Sequence, residues 1–476
     1  MPKFWVKHGL YYHPDFTPLA TGAPASMILA AYGWCLGGQV LAQLLVSYLM
    51  SLLSAATILL ISRQFWTLRG GLISCSIFIF MPVISLWLVH ASKVSLSACV
   101  FELQCLYLII TFLSKEKKSL ILAYAGLFLG FAAGSSYGAL PSVFIISVCL
   151  PCYLIKHIGL RQTIHYLLYF LIPLALVLCI FFLYNCYHYY SPFYPVIRLS
   201  HFISGIESSH SLNATDIKEF KTHADGVLGI FRYLYLISTN IYLPNTRGCG
   251  PIILLAFFMS ISLNINKLPR HISFLILLSL FAFCLNYNLH QRPRHILTFL
   301  GLIAICAAGM RSEGHLYLKK YIQRTLFFML ILWNSVVILL IILNMDRFNM
   351  FLYAGGSMSR SAFLEFTYDQ IPTQPNYKIV SYINKNIPSD QSILLCNLSR
   401  NSLYLNNPVY SNRDSIKSED LVKHDYLLIR ISETSGNKQN SNDLDSLRSN
   451  SDLIFKYKGQ LLYNLKYYNS SSTNNQ

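Results

Sequence analysis

The chain has 476 residues, of which 54% are hydrophobic, 14% aromatic and only 12% charged, and its net charge is +17. A soluble enzyme carries about 25% charged residues, so this balance excludes that class and describes a chain whose main solvent is lipid. The Lys and Arg fall mainly in short stretches between apolar runs, a pattern that sets membrane topology and meets anionic headgroups, so membrane lipids are expected partners and nucleic acid is not.

In chain order, residues 1–38 form a mixed segment in which Pro18 and Pro24 bracket a turn. No basic stretch leading directly into an apolar core marks a signal peptide. Ten apolar runs follow, at 39–61, 71–88, 96–113, 119–134, 140–155, 165–184, 251–265, 272–289, 296–310 and 326–344, each of them long enough, or nearly so, to cross a bilayer. Alternate loops between them hold Arg63 and Arg69, then Lys115, Lys117 and Lys118, then Lys156 and Arg161, then Lys267 and Arg270, then Arg311, Lys319, Lys320 and Arg324. The short intervening loops hold only Lys93 and the pair Arg292 and Arg294. The basic set is therefore expected in the cytoplasm, which puts residues 1–38, the loop 185–250 and everything after 344 outside it. An outward N-terminus without a leader leads to the expectation that an earlier start, with one more membrane helix, is missing.

After residue 344 the composition changes. Asn376 to Lys385 reads as an amphipathic helix, Ser392–Cys396 and Tyr426–Ile431 as buried strands, and the stretch around Gly459 as a hairpin. Residues 345–476 are thus expected to form a small α/β extracytoplasmic domain, with a polar loop at 432–450 and a disordered Asn- and Ser-rich tail. The fold class is an α-helical polytopic membrane protein of about ten transmembrane helices, 39–344, carrying that domain.

Chemistry-bearing residues are few. Before Glu207 the carboxylates are Asp15, Glu102 and Glu116. Glu116 reads as a solvated loop charge. Glu102 lies inside an apolar run, where a lone carboxylate costs several kcal/mol, so it must face protein or a wet cavity: either a substrate-cavity residue or a helix-packing hydrogen bond. Asp15 is a turn residue beside Pro14 or a site acid. Lys93, His290, Arg292, Arg294 and His295 supply cations and imidazoles on the expected outer face. Two guanidinium groups at headgroup level suit a lipid-linked phosphate, because their planar forks match phosphate oxygens; the plainer reading is an anchor at a helix end. No Gly-rich nucleotide loop and no His/Asp set with metal spacing is present, so neither metal nor cofactor is expected. Cys149 and Cys152 have redox spacing but no thioredoxin-like setting, and most of the 12 cysteines lie in apolar runs.

Several local patterns together resemble the GT-C integral-membrane glycosyltransferases, including their protein O-mannosyltransferase-like branch. They are Thr21 to Pro24 before the first run, Tyr184 and Asn185 followed by Ser191 to Phe193, Leu243 to Gly248 with Pro251 opening the next run, Arg292 to His295 leading into a run, and Ile387 to Asp390 between a helix and a strand. The resemblance implies a hexosyltransferase that moves a sugar from a polyprenyl-phosphate carrier to a glycan, lipid or protein acceptor outside the cytoplasm, in a bacterial inner membrane. It further implies an acidic base that takes the acceptor proton and basic residues that hold the departing phosphate. The family's base lies shortly after its first membrane helix, and this chain is expected to begin beyond it. Asp15 is then the remaining candidate, and the chain as it stands is expected to be inactive if the base is lost. A Lys that the family often places near its Gly-rich fourth and fifth spans is replaced here by Ser135, Ser136 and Tyr137. The competing reading is a transporter or flippase that recognises a lipid-linked headgroup without chemistry, although no matched halves are visible. A non-catalytic scaffold whose outer domain binds a partner is a third.

Overall fold

A computed structural model describes residues 24–88, 95–114, 118–136, 139–189, 251–253, 255–256, 297–309, 320–347, 349–369, 376–396, 405, 407, 409–412, 424–430, 451–457 and 460–465. The chain divides into two compact units, one containing Thr17–Ile341 and the other Ile342–Gln476.

The first unit is helical. Its elements are α1 (Pro24–Gln43), a π turn (Leu44–Leu49), α2 (Met50–Phe65), α3 (Leu68–Ile79), a second π turn (Val83–Leu88), α4 (Ser95–Ser114), α5 (Ser119–Ser135), α6 (Leu140–Ile158), α7 (Leu160–Tyr189), α8 (Leu297–Ala308) and α9, which runs Lys320–Arg347. Four stretches among the described residues are long and apolar enough to cross a membrane: Leu44–Phe65, Ser95–Ser114, Leu140–Ile158 and Leu160–Tyr184. Proline sets two local departures from the expected runs. Helix α1 opens on Pro24, where a missing N–H is no loss, well before residue 39. The run 71–88 is broken after Ile79, because Pro82 cannot donate to the preceding turn and pushes Met81 out of helical geometry. The expected crossings 251–265 and 272–289 lie almost wholly outside the described residues.

Helix α4 is the hub, packing against α2, α5 and α8. Helix α8 also meets α2 and α3, and all twelve of its residues are buried, as befits a helix apolar all round. Hydroxyl and amide groups stitch these helices together: Ser62 and Ser74 share a 2.7 Å hydrogen bond, Gln64 Nε2 donates to Thr111 Oγ1 at 2.9 Å, and Trp66 Nε1 donates to the Ile305 carbonyl at 2.9 Å. Asn334 of α9 donates to Ser76 of α3.

Helices α5 and α7 pack most extensively among the described helices. Gly126, Gly130 and Gly134 line one stripe of α5, where a Cβ would run into the Phe170 backbone, meet Val177 Cβ at 2.7 Å, or enter the Phe181 ring, respectively. Small residues every fourth position let two helix backbones approach in this way in a membrane. On α7 the residues facing that stripe, Phe170, Leu174, Val177 and Phe181, are buried, while Leu168, Ile172, Leu176, Ile180 and Leu183 are exposed on the other side. Both faces of α7 are apolar; one meets protein and the other is exposed, as a lipid-facing surface would be.

The second unit holds α10 (Met350–Ala354), α11 (Arg360–Asp369), α12 (Tyr377–Asn386) and a five-stranded sheet, with β1 (Ile393–Cys396), β2 (Val409–Asn412), β3 (Tyr426–Arg430), β4 (Asp452–Tyr457) and β5 (Gln460–Asn464). Strand order is β2-β1-β3-β5-β4; β1 runs parallel to β2 and β3, and β5 antiparallel to β3 and β4. Alternation along the strands sends Ile393, Leu395, Leu428 and Leu462 to the face packed with Ile379, Val380 and Ile383 of α12, and Leu394, Cys396, Leu427, Ile429, Leu461 and Tyr463 to the other. Both faces are buried, as a sheet with a parallel core requires. Asn376 caps α12 by accepting from Lys378 N at 2.9 Å, and its own N–H donates to Gln460 Oε1 at 2.8 Å, which fixes the helix start to β5.

Candidate functional site

Of the residues expected at the site, Glu102 is the one inside the described residues; Asp15, Lys93, His290, Arg292, Arg294 and His295 lie outside them.

Glu102 sits midway along α4 and is 6% exposed. Thr298, the second residue of α8, donates its hydroxyl to Glu102 Oε2. The Ser142 hydroxyl of α6 lies near the same carboxyl group. One turn earlier on α4, the buried Cys99 thiol interacts with the hydroxyls of Thr298 and of Ser54 on α2. Ser54 in turn donates to the Met50 carbonyl at 2.9 Å. Four helices, α2, α4, α6 and α8, therefore meet at one polar knot inside an otherwise apolar core. Among the described residues no cation pairs with Glu102 and no cluster of metal-ligating side chains occurs.

The knot is suited to holding helices. A buried carboxyl group is expensive as an orphan, and the Thr298 hydroxyl of α8 gives it a donor from another helix. The sequence leaves Glu102 as a substrate-cavity residue or a helix-packing hydrogen bond, and the described residues supply it with one interhelical bond, from Thr298. Thr298 and Ser142 were not singled out from the sequence, because a lone hydroxyl in an apolar run reads as filler. The one available signal was that Glu102, buried without a charged neighbour in its own helix, needed donors from elsewhere.

Cys149 and Cys152 are both free thiols on α6, where Pro151 lies between them inside the helix. In the second unit, Glu365, Lys378 and Tyr457 form an exposed cluster: Lys378 Nζ lies 3.0 Å from Glu365 Oε1, Tyr457 OH donates to the same oxygen at 2.9 Å, and Lys378 also stands over the Tyr457 ring. The hydrogen bond to Glu365, and after it that to Tyr457, raise the Lys378 pKa above the usual lysine value.

No family profile and no curated protein sequence matches the chain. Among solved structures it is similar to ArnT from Cupriavidus metallidurans in the apo state, with a TM-score of 0.63 and 11% identity over 98% of this chain and 92% of that one. It is similar also to ArnT from the same organism bound to undecaprenyl phosphate, with a TM-score of 0.60, the same identity and the same coverage. At that identity the likeness establishes a shared fold, that of a polytopic membrane protein with a small C-terminal sheet.

Proposed function

We propose that this chain is a GT-C membrane glycosyltransferase that takes its sugar from a polyprenyl-phosphate carrier. The observation carrying this reading is the nearly end-to-end likeness to ArnT, a GT-C glycosyltransferase one of whose structures holds undecaprenyl phosphate. The paired guanidinium groups of Arg292 and Arg294, with His290, His295 and Lys93, match the chemistry such a headgroup demands.

In this reading the acceptor oxygen attacks the anomeric carbon of the donor. The new glycosidic bond forms as the bond from that carbon to the phosphate oxygen breaks, and the carrier phosphate leaves with the electron pair. A carboxylate takes the acceptor proton, with Asp15 the candidate in this chain, and the cations stabilise the departing phosphate. The acceptor is a hydroxyl of a glycan, lipid or protein on the extracytoplasmic side.

The test uses the full chain in bacterial membranes with a panel of labelled polyprenyl-phosphate sugars, read as label moved to an acceptor. Transfer is expected with at least one donor, and the Arg292→Ala/Arg294→Ala variant is expected to lose it together with binding of undecaprenyl phosphate. Unchanged turnover in that variant removes the arginines from the site, and a fully active Asp15→Asn removes Asp15. Movement of the intact donor across the bilayer without transfer overturns the enzyme reading in favour of a flippase.

A further inference from the structure

We propose that the corner between α6 and α7, with the start of α5 beside it, is a binding surface for an acidic phospholipid of the surrounding bilayer. The inference rests on the membrane-spanning helices and stands apart from the donor reading.

A single residue, Gly159, joins α6 to α7, and its φ of 82° turns the chain at once. Thr163 closes the corner by donating its N–H, at 3.1 Å, and its hydroxyl, at 2.7 Å, to the Gly159 carbonyl. Lys156 and His157 of α6 and Arg161 and His165 of α7 are all exposed around it. A third helix end brings another cation to the same level. Gly126, Gly130 and Gly134 of α5 back in turn onto Phe170, Val177 and Phe181 of α7, so the two helices run parallel, and Lys118, which directly precedes α5, lies level with the first turn of α7. No Asp or Glu occurs between Glu116 and Glu207, so α5, α6 and α7 bring no carboxylate to balance these cations. Tyrosines flank the imidazoles: the ring centroids of Tyr153 and His157 are 4.4 Å apart, and those of His165 and Tyr169 are 5.2 Å apart. Aromatic rings with a polar tip sit at headgroup level in membrane proteins. Beside them Ile155, Ile164 and Leu168 expose apolar side chains that suit acyl chains. Cations from three helix ends, polar aromatic rings and an apolar flank are together what a phosphate head and its tails require. A corner that only set topology would need the charge alone. The corner between α2 and α3 shows the difference, because Arg63 and Arg69 are exposed there too, whereas Trp66 is buried and bonded to Ile305.

The experiment uses the purified full chain in detergent micelles, titrated with cardiolipin as the probe and with phosphatidylcholine as its neutral counterpart. Two readouts are taken: the Kd from native mass spectrometry, and hydrogen–deuterium exchange of peptides covering residues 153–165. Cardiolipin is expected to bind, to slow exchange in those peptides and to bind less tightly as salt is raised, and phosphatidylcholine is expected to do none of these. Lys156→Gln/Arg161→Gln is expected to weaken cardiolipin binding about tenfold and to remove the protection. Arg63→Gln/Arg69→Gln takes the same charge from the α2–α3 corner and is expected to change neither readout. All four substituted side chains are exposed, and an unaltered melting temperature in each variant keeps a binding loss from being mistaken for unfolding. Should the first double variant melt early, Lys156→Gln alone carries the test, with a loss of about threefold. Equal losses in the two double variants, unchanged binding in Lys156→Gln/Arg161→Gln, or equal protection by phosphatidylcholine overturn the proposal. Displacement of cardiolipin by an equal amount of undecaprenyl phosphate overturns it as well, and makes the corner a carrier site instead.

Discussion

A carboxyl group inside an apolar helix needs a partner, and Glu102 finds one in the hydroxyl of Thr298 on another helix. One of its oxygens is taken by Thr298, a side chain of another helix, and it is nearly sealed from solvent. The sequence made Glu102 conspicuous, because an ionisable group at that depth has to be satisfied, but it could not name the donor, which lies 196 positions away in an otherwise uniform run. Trp66 tells a similar story. Its indole N–H reaches the Ile305 carbonyl across 239 residues of chain. Trp66→Phe keeps the ring and deletes that bond, and is expected to lower stability by roughly 0.5–1.5 kcal/mol in a chemical denaturation series on the reconstituted protein. Lys378 supplies a pH-dependent case. Its folded pKa is raised, so its contribution to stability is complete below the ordinary lysine value and disappears as pH climbs through the elevated one. Melting curves from about pH 9 to 12 should therefore show an alkaline loss that is smaller in Lys378→Met than in the parent.

At the scale of elements, hydropathy found the helices and missed what joins them. A helix with lipid on one side and protein on the other is apolar all round, so α7 carries no strong amphipathic signal although its two faces have different neighbours. The distinction is written in size instead: Gly126, Gly130 and Gly134 recur every fourth residue, and large side chains of α7 fill the space they leave. Gly130→Val is expected to force the helices apart and destabilise the fold by about 1–3 kcal/mol. Adding Val177→Ala should recover little of the stability lost by Gly130→Ala alone, measured in the same denaturation series, since alanine keeps the Cβ that a side chain at 130 would meet at 2.7 Å. In the second unit, β1, β3 and the β4–β5 hairpin were visible as short apolar runs around a turn. Strand β2, Val409–Asn412, was not, because a polar tetrapeptide at a sheet edge has no alternation to display. Helices α10 and α11 were hidden for a related reason: α10 has five residues, and α11 is as polar as a loop.

At the scale of the whole molecule, composition alone placed the chain in a membrane, and the ArnT-like fold agrees with it. Charge between the crossings adds a direction: short loops rich in Lys and Arg alternate with short loops that hold few of them. Reporter fusions after residues 117 and 157 are expected to behave as cytoplasmic, and fusions after residues 137 and 345 as extracytoplasmic. The opposite map would move Arg292 and Arg294 to the cytosol and remove the headgroup site from the side on which transfer is proposed.

The closeness of α5 and α7 bears on motion as well as strength. Where backbone presses on side chain with no slack, there is no halfway register to glide through, and the two helices must travel as a single slab. Any yielding in this part of the bundle then belongs to stretches whose backbone is wound more loosely, such as the π turns Leu44–Leu49 and Val83–Leu88 on either side of α2 and α3. Tightening those turns should slow turnover and leave headgroup affinity as it was.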